Sequence, residues 1–212
     1  MVFVLLSAAA LCVFYWLPMR RWFARWGASA EDLARRMPGD TLVADSTYRA
    51  TLAVTIAARP EDIWPWLLQM GYRRGGLYSY DWLDRLFGYL DRPSATRILP
   101  EFQHLNVGDE IPVGRAGGLP IKAVEPCRAL VLAGEGGGAA WAWQFGLYPI
   151  DAGHTTLVSR NAVRTPRTAG AWLFTRIIEP AAFLMTRRML LGLKQRAEAL
   201  VKEEHRRSPY AA

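Results

Sequence analysis

The stretch AWAWQFGLY, residues 140–148, decides the fold, because large apolar and small residues alternate along it. Successive side chains of a β-strand point to opposite faces of the sheet. One face therefore carries Trp141, Trp143, Phe145 and Leu147, and the other carries Ala140, Ala142, Gln144 and Gly146. Aromatic side chains bury large apolar areas. We expect a strand whose aromatic face points into the protein.

The segments around this strand are short, apolar and separated by Gly, Pro or Asp-Ala-Gly turns, a pattern typical of an antiparallel meander. The predicted strands are 48–57, 110–113, 120–125, 129–133, 140–148 and 155–163. The run GEGGG, residues 134–138, suggests a nucleotide-binding loop at first. It precedes a strand, however, and so lacks the helix N-terminus that binds phosphate. We predict a flexible hairpin connection there.

Helical patterns flank the strands. A short helix is predicted at 31–37, a second from Pro60 to Gly71 with a kink at Pro65, and a third from Ser79, as its cap, to Phe87. A long helix over 171–202, bent at Pro180, closes the chain. Its predicted inner stripe is Ile178, Ala182, Met185, Met189, Leu193 and Leu200. The element order predicts an α+β fold in which one helix packs across a curved antiparallel sheet.

The N-terminus predicts a membrane anchor. Residues 2–17 are apolar except for Ser7, and the arginines Arg20, Arg21 and Arg25 follow them. Trp16, Trp22 and Trp26 lie at the basic end, where amphipathic rings favour the headgroup layer. A cleaved signal peptide would carry its positive charge before the apolar run, and a buried core helix would normally show a polar stripe. The positive-inside rule predicts a single-pass inner or plasma membrane protein with a cytoplasmic domain.

The predicted organisation is a transmembrane anchor at 1–19, a basic juxtamembrane linker at 20–47, a folded domain at 48–204 and a tail at 205–212. The net charge of +7 raises nucleic acid as a partner. Much of that charge lies beside the anchor or on the last helix, so we expect anionic lipid instead and no nucleic acid. Cys12 and Cys127 are far apart, and we expect no disulfide.

Particular motifs resemble a bacterial branch of the START-like, polyketide cyclase-like (SRPBCC) superfamily. They are WPWLLQMG (64–71), RGG (74–76), YSYDWL (78–83), RILPEFQ (97–103), VGD (107–109), IEPA (178–181) and ML (189–190). The resemblance covers roughly residues 49–200. It implies a helix-grip fold, in which a curved antiparallel sheet wraps around the long last helix and leaves an apolar cavity. Members of the superfamily bind lipids, sterols or polyketides, and some cyclise or dehydrate them. No catalytic residue and no cofactor transfer to this sequence from the resemblance.

Two clusters are candidate ligand-binding residues. The first, facing the predicted cavity, is Trp141, Trp143, Phe145, Met185 and Met189; aromatic rings and thioethers suit an apolar pocket and equally an ordinary core. The second, at its predicted mouth, is Tyr78, Tyr80 and Trp82, and Arg97 is a separate candidate in a polar group with Glu101 and His104. Arg97 could bind a ligand carboxylate through its guanidinium, or pair with Glu101 to fix the loop.

Three residues are weak catalytic candidates: Glu101, His104 and Asp81. Each could act as an acid or base, while Asp81 could instead pair with Arg85 one helical turn away. The three histidines are far apart, so no metal site is expected. The sequence leaves three hypotheses open: a membrane-tethered binding protein for a lipid or lipid-like metabolite, a cyclase- or dehydratase-like enzyme using the same cavity, and a ligandless interaction domain.

Overall fold

The computed structural model describes residues 18–207. The predicted anchor lies outside this range except for its last two residues, which belong to a helical segment at 18–23. Among the described helices, none has the length and apolar character needed to cross a bilayer. The named helices are α1 (Ala30–Ala34), α2 (Pro60–Leu68), α3 (Asp81–Leu86) and α4 (Ala169–Arg207). A short 3₁₀ turn spans Pro100–Phe102.

Six strands form one antiparallel sheet, which confirms the predicted meander. They are β1 (Tyr48–Ile56), β2 (Glu110–Gly114), β3 (Gly117–Glu125), β4 (Ala129–Gly136), β5 (Ala139–Pro149) and β6 (Thr155–Arg164). Their order is β1-β6-β5-β4-β3-β2, so the first strand joins the end of a meander formed by the other five. The glycine run is a hairpin connection as predicted, since Gly137 and Gly138 take positive φ between β4 and β5.

The inner face of the sheet packs on α2 and on the C-terminal half of α4. Leu130, Phe145 and Leu157 from the sheet and Leu190 and Leu193 from α4 are all completely buried there. The sequence thus folds as predicted at the coarse level, an α+β protein with an antiparallel sheet packed on a long C-terminal helix.

The outer face of the sheet is also covered. Small residues on this face, Ala133, Ala142 and Ala162, leave room for Val43 to pack against them. Beside them the buried Arg160 donates hydrogen bonds to the carbonyl oxygens of Asp32 and Arg35, at 2.7 and 2.9 Å, and to the Asp40 carboxylate at 2.8 Å. Burial raises the pKa of Asp40, but hydrogen bonds from Met37 and Arg160 outweigh it and leave the pKa below its usual value. Residues 32–43 are therefore fixed to the sheet.

The segment before them lies along the edge strand β1. The amide of Thr51 donates to the carbonyl of Ala24 at 2.8 Å, and the amide of Ala53 donates to that of Trp26 at 3.1 Å. Gly27 has φ +70°, and a Cβ there would lie 2.1 Å from the Ala53 carbonyl oxygen. Only glycine permits both this conformation and this approach.

Two local predictions were wrong. Helix α3 begins at Asp81 with Tyr80 as its cap, and the Ser79 hydroxyl makes no capping hydrogen bond. In α4 the inner stripe starts differently from the prediction: Ile178 and Ala182 are exposed, whereas Glu179 and Phe183 are buried. The reason is the helical segment at 18–23, because Arg20 binds Glu179 and Phe23 stacks on Phe183 at 4.5 Å between ring centroids.

Candidate functional site

A cleft of about 360 Å³ lies between the first turns of α4 and the adjacent ends of β1 and β6. Most of its exposed wall area is apolar, although seven of the ten lining residues are Thr, Arg or Glu. The lining residues are Thr47, Thr165, Pro166, Arg167, Thr168, Ala169, Trp172, Thr175, Arg176 and Glu179. Small-molecule sites typically measure roughly 300–1,000 Å³ and combine apolar walls with a few polar groups. The cleft falls at the small end of that volume range, and its lining holds more polar side chains than is typical.

The loop between β6 and α4 shapes this cleft. Thr168 begins the helix, since its hydroxyl accepts a hydrogen bond from the Ala171 amide at 3.2 Å. On the opposite wall the Thr47 hydroxyl donates to the Val163 carbonyl at 3.1 Å and lies 3.2 Å from the Thr165 hydroxyl. The Thr47 contacts join the start of β1 to the end of β6, beside the start of α4.

Charged side chains form one side of the cleft. The Glu179 side chain, only 2 % exposed, accepts hydrogen bonds from Arg20 Nε at 2.6 Å, Arg20 Nη2 at 3.0 Å and Arg176 Nη1 at 2.9 Å. A buried carboxylate needs such partners, because an unpaired charge away from water is costly. Two guanidinium groups on one carboxylate leave the group with a net positive charge.

Arg176 is the guanidinium of this group that lines the cleft, and only its Nη1 donates to Glu179. Within the described residues its guanidinium donates only to Glu179, and it lies 5.4 Å from the centroid of the Trp172 ring. Nearby, burial and then the negative charge of Glu179 raise the pKa of Tyr48 to about 12, so its hydroxyl stays protonated at neutral pH. The cleft therefore offers an apolar wall beside a positively charged group, which suits an apolar molecule carrying an anionic head.

The predicted aromatic wall lies elsewhere, in the packed interior. The indoles of Trp141 and Trp143 stack at 5.5 Å, and Trp143 lies 5.0 Å from Phe145. Both indole N–H groups have partners on β6, namely Asn161 at 2.8 Å and Ser159 at 3.1 Å. On α4, Met189 is buried and Met185 half-buried. The structure brings these residues onto one side of the sheet, and their role in ligand binding stays a prediction.

The second predicted cluster divides into structural and exposed residues. Tyr78 is buried at φ +58°, donates to the Trp66 carbonyl at 3.2 Å and lies under the Arg196 guanidinium. Tyr80 is half-buried near Arg188, and Trp82 is 67 % exposed. Asp81 accepts hydrogen bonds from the Ser94 amide and hydroxyl at 3.0 and 2.7 Å instead of pairing with Arg85.

Arg97, Glu101 and His104 are exposed, and in the part of the chain that the structure describes Arg97 and Glu101 form no ion pair. Buried Gln69 holds this loop instead: its amide donates to the Arg97 carbonyl at 3.1 Å and accepts from the Leu99 amide at 2.8 Å. The motifs at 64–71 and 97–103, on which the family resemblance rests, are thus joined to each other by the Gln69 side chain.

Asp84 is a further unusual residue. It is fully buried, and neither carboxylate oxygen has a hydrogen-bond partner among the described residues. Burial, and then the negative charge of Asp81, raise its pKa to about 6. A carboxyl in this state is a candidate acid or base, although it does not line the cleft.

Sequence reasoning named none of the residues that line the cleft as site residues. One signal was available, because Glu179 is the only acidic residue in the apolar helical run from 169 to 185. An isolated acid in such a run needs a partner. That the partner is Arg20, 159 residues away, follows only from the fold.

Comparison with known proteins finds similarity in structure alone. No protein family model and no curated protein matches the chain. Among solved structures, the hypothetical protein jhp0584 from Helicobacter pylori has 12% identity and a TM-score of 0.46, covering 76% of this chain and 95% of its own. The Aha1 dimer from Colwellia psychrerythraea has 17% identity and a TM-score of 0.41, covering 72% and 97%. Protein CV1439 from Chromobacterium violaceum has 14% identity and a TM-score of 0.43, covering 71% and 96%. Likenesses this distant assign no ligand and no activity.

Proposed function

We propose that the protein is a membrane-tethered binding protein for an apolar small molecule with an anionic head, such as a lipid or a lipid-like metabolite. The observation that carries this proposal is the cleft, whose mainly apolar walls end at the group of Glu179, Arg20 and Arg176. The apolar run at residues 2–17 supplies the tether, and its basic flank favours a cytoplasmic domain.

Arg176 is the proposed contact for the head of the ligand. Its remaining donors can form a charge-assisted hydrogen bond to a carboxylate or phosphate. Trp172 on the previous turn and Ala169 at the helix start would contact the chain. An apolar ligand held by a tethered domain stays close to the bilayer, where its effective concentration is high.

The binding experiment compares two ligands that differ only in the head group. The full chain, purified in detergent, is mixed with palmitic acid or with hexadecanol, and bound ligand is counted by native mass spectrometry. We expect one palmitic acid per chain and weaker retention of hexadecanol. The variant Arg176→Gln should lose about tenfold in affinity for the acid, equivalent to one charge-assisted hydrogen bond, and little for the alcohol.

Two variants separate the cleft from other surfaces. Ala169→Trp places a large ring in the cleft and should prevent binding of both ligands. The exposed Arg21→Gln removes the same charge outside the described lining and should change neither. Equal palmitic acid binding by wild type and Ala169→Trp would refute the proposed site, and no binding by wild type would refute the proposed function.

A further inference from the structure

The N-terminal half of α4 has one face that packs on nothing in the described structure. Its exposed side chains are Leu173, Phe174, Ile177, Ile178 and Leu184, and each is at least 38 % exposed. Successive residues of a helix turn by about 100°, so these five lie on one side, opposite Glu179 and Phe183. We call this surface the apolar face. It is about 17 Å long, from the rise of ~1.5 Å per residue.

The same side of the helix changes character abruptly beyond this face. Gln195 lies about five turns after Ile177 and therefore at the same angle around the axis. Around it the helix carries Arg188, Ala199, Lys202 and Arg206, and the one large apolar residue on this side is the half-buried Leu191. One continuous helix thus presents an apolar surface in its first half and a polar, basic surface in its second. The change occurs at Arg187 and Arg188.

Basic residues border the apolar face at both ends. Arg167 precedes the helix and is exposed, while Arg187 and Arg188 follow the face and are half-buried. The Arg187 guanidinium lies 4.8 Å from the Trp26 ring centroid. Arginine and tryptophan beside an apolar surface are the combination found where a protein meets lipid headgroups. A protein that bound the apolar face would not need positive charge at both of its ends, whereas an anionic membrane surface attracts it.

The position of the N-terminal segment supports the same partner. Trp22 lies against Phe183 at 5.2 Å and is itself 53 % exposed. Arg20 and Phe23 are bound to the opposite side of the same helix half. The chain before residue 18 is an apolar run of the type that enters a bilayer. Arg20, just after this run, binds Glu179 of α4, so a tether formed by the run would bring this half of α4, and with it the apolar face, to the membrane surface.

We propose that the apolar face of α4 inserts into the apolar layer of the bilayer, as a second membrane contact besides residues 2–17, with Arg187 and Arg188 at the level of anionic headgroups. The contact is that of an interfacial amphipathic helix, which immerses its apolar side and keeps its basic residues at the surface. It fixes which side of the domain meets the membrane, whatever the cleft binds.

Spin-label accessibility tests this placement on the full chain. Cys12 and Cys127 are replaced by serine, and a nitroxide is attached to Ile177→Cys or, as the matched control on the same helix side, to Gln195→Cys. The proteins are inserted into vesicles of phosphatidylcholine with one quarter phosphatidylglycerol. Collision with oxygen, which concentrates in lipid, and with a water-soluble nickel complex is then measured. We expect the label at 177 to collide mainly with oxygen and the label at 195 mainly with nickel, with a several-fold difference in the ratio.

A label at Phe174→Cys should show the same accessibility as the label at 177. This second position shows that the result is not due to a local effect of one label. Equal nickel accessibility at 177 and 195 would overturn the proposal. Protection at 177 from both reagents would also overturn it, since protein would then cover the face. Dipolar broadening between labels would assign that cover to a second copy of the chain. None of these results depends on ligand binding, which the mass spectrometry measures separately.

Discussion

The two halves of α4 show how one helix can have two environments. In the C-terminal half, Leu190, Leu193 and Ala197 are completely buried against the sheet and the outer side is polar. In the N-terminal half the buried side holds only Glu179 and Phe183, and the outer side is apolar. In a protein surrounded only by water, a surface helix normally turns its apolar side to the core along its whole length. The reversal indicates that the N-terminal half meets a second apolar environment.

The largest expected effect comes from exchanging matched residues between the two halves. Leu193→Ser removes a fully buried side chain and places a hydroxyl in the core, so it should lower the free energy of unfolding by about 3–5 kcal/mol. Ile177→Ser removes a comparable side chain from the apolar face and should change it by less than about 0.5 kcal/mol. Urea unfolding of the full chain in mild detergent measures both. If both variants lowered the free energy of unfolding equally, Ile177 would be packed in the folded protein as Leu193 is, and the two halves of α4 would not differ in burial.

A smaller effect is expected at the salt bridge that joins the N-terminal half to the rest. Glu179→Gln leaves Arg20 and Arg176 facing a neutral amide, and should cost about 2 kcal/mol because both guanidiniums are part-buried and retain some water. The matched control is Glu198→Gln on the C-terminal half, whose partner Lys194 is more exposed, and it should cost well under 1 kcal/mol. A loss at Glu179 no greater than at Glu198 would show that this group does not hold the helix.

The last effect, close in size to that at Glu179, concerns pH. Glu179 has two cationic partners, whereas the Asp84 carboxylate has no hydrogen-bond partner among the described residues and its pKa is raised to about 6. The folded protein therefore holds the Asp84 proton more tightly than the unfolded chain, whose aspartates titrate near ~3.9. The stability due to this group is present at low pH and falls as the pH rises from about 4 to about 6.

Asp84→Asn removes this dependence. We expect the variant to gain about 2 kcal/mol relative to wild type between pH 4 and pH 7, with the change nearly complete at pH 7. Unfolding curves recorded across that range give the difference directly. A constant difference between variant and wild type would show that Asp84 titrates normally.

The fold was largely predictable, because alternating residues and turn punctuation specify strands locally. All six strands and the long final helix appear where the sequence predicts them. The phase of α4 was not predictable, since its buried side is selected by Arg20 and Phe23, which lie more than a hundred residues away. The cleft was missed for the same reason. It is formed by the ends of β1 and β6 and the start of α4, and a one-dimensional pattern does not show that these meet.

The backbone contacts between residues 24–26 and strand β1 have a consequence for any shortened form of the protein. Without that segment, the amides of Thr51 and Ala53 at the edge of the sheet would lose their acceptors, and an open edge invites pairing with another molecule. A protein that lacks residues 1–26 should therefore form aggregates. It would do so although it keeps all six strands and every residue that lines the cleft, and loses only Arg20 beside it. A chain beginning at Pro18 retains the protective segment and should stay dispersed, if the detergent shields α4.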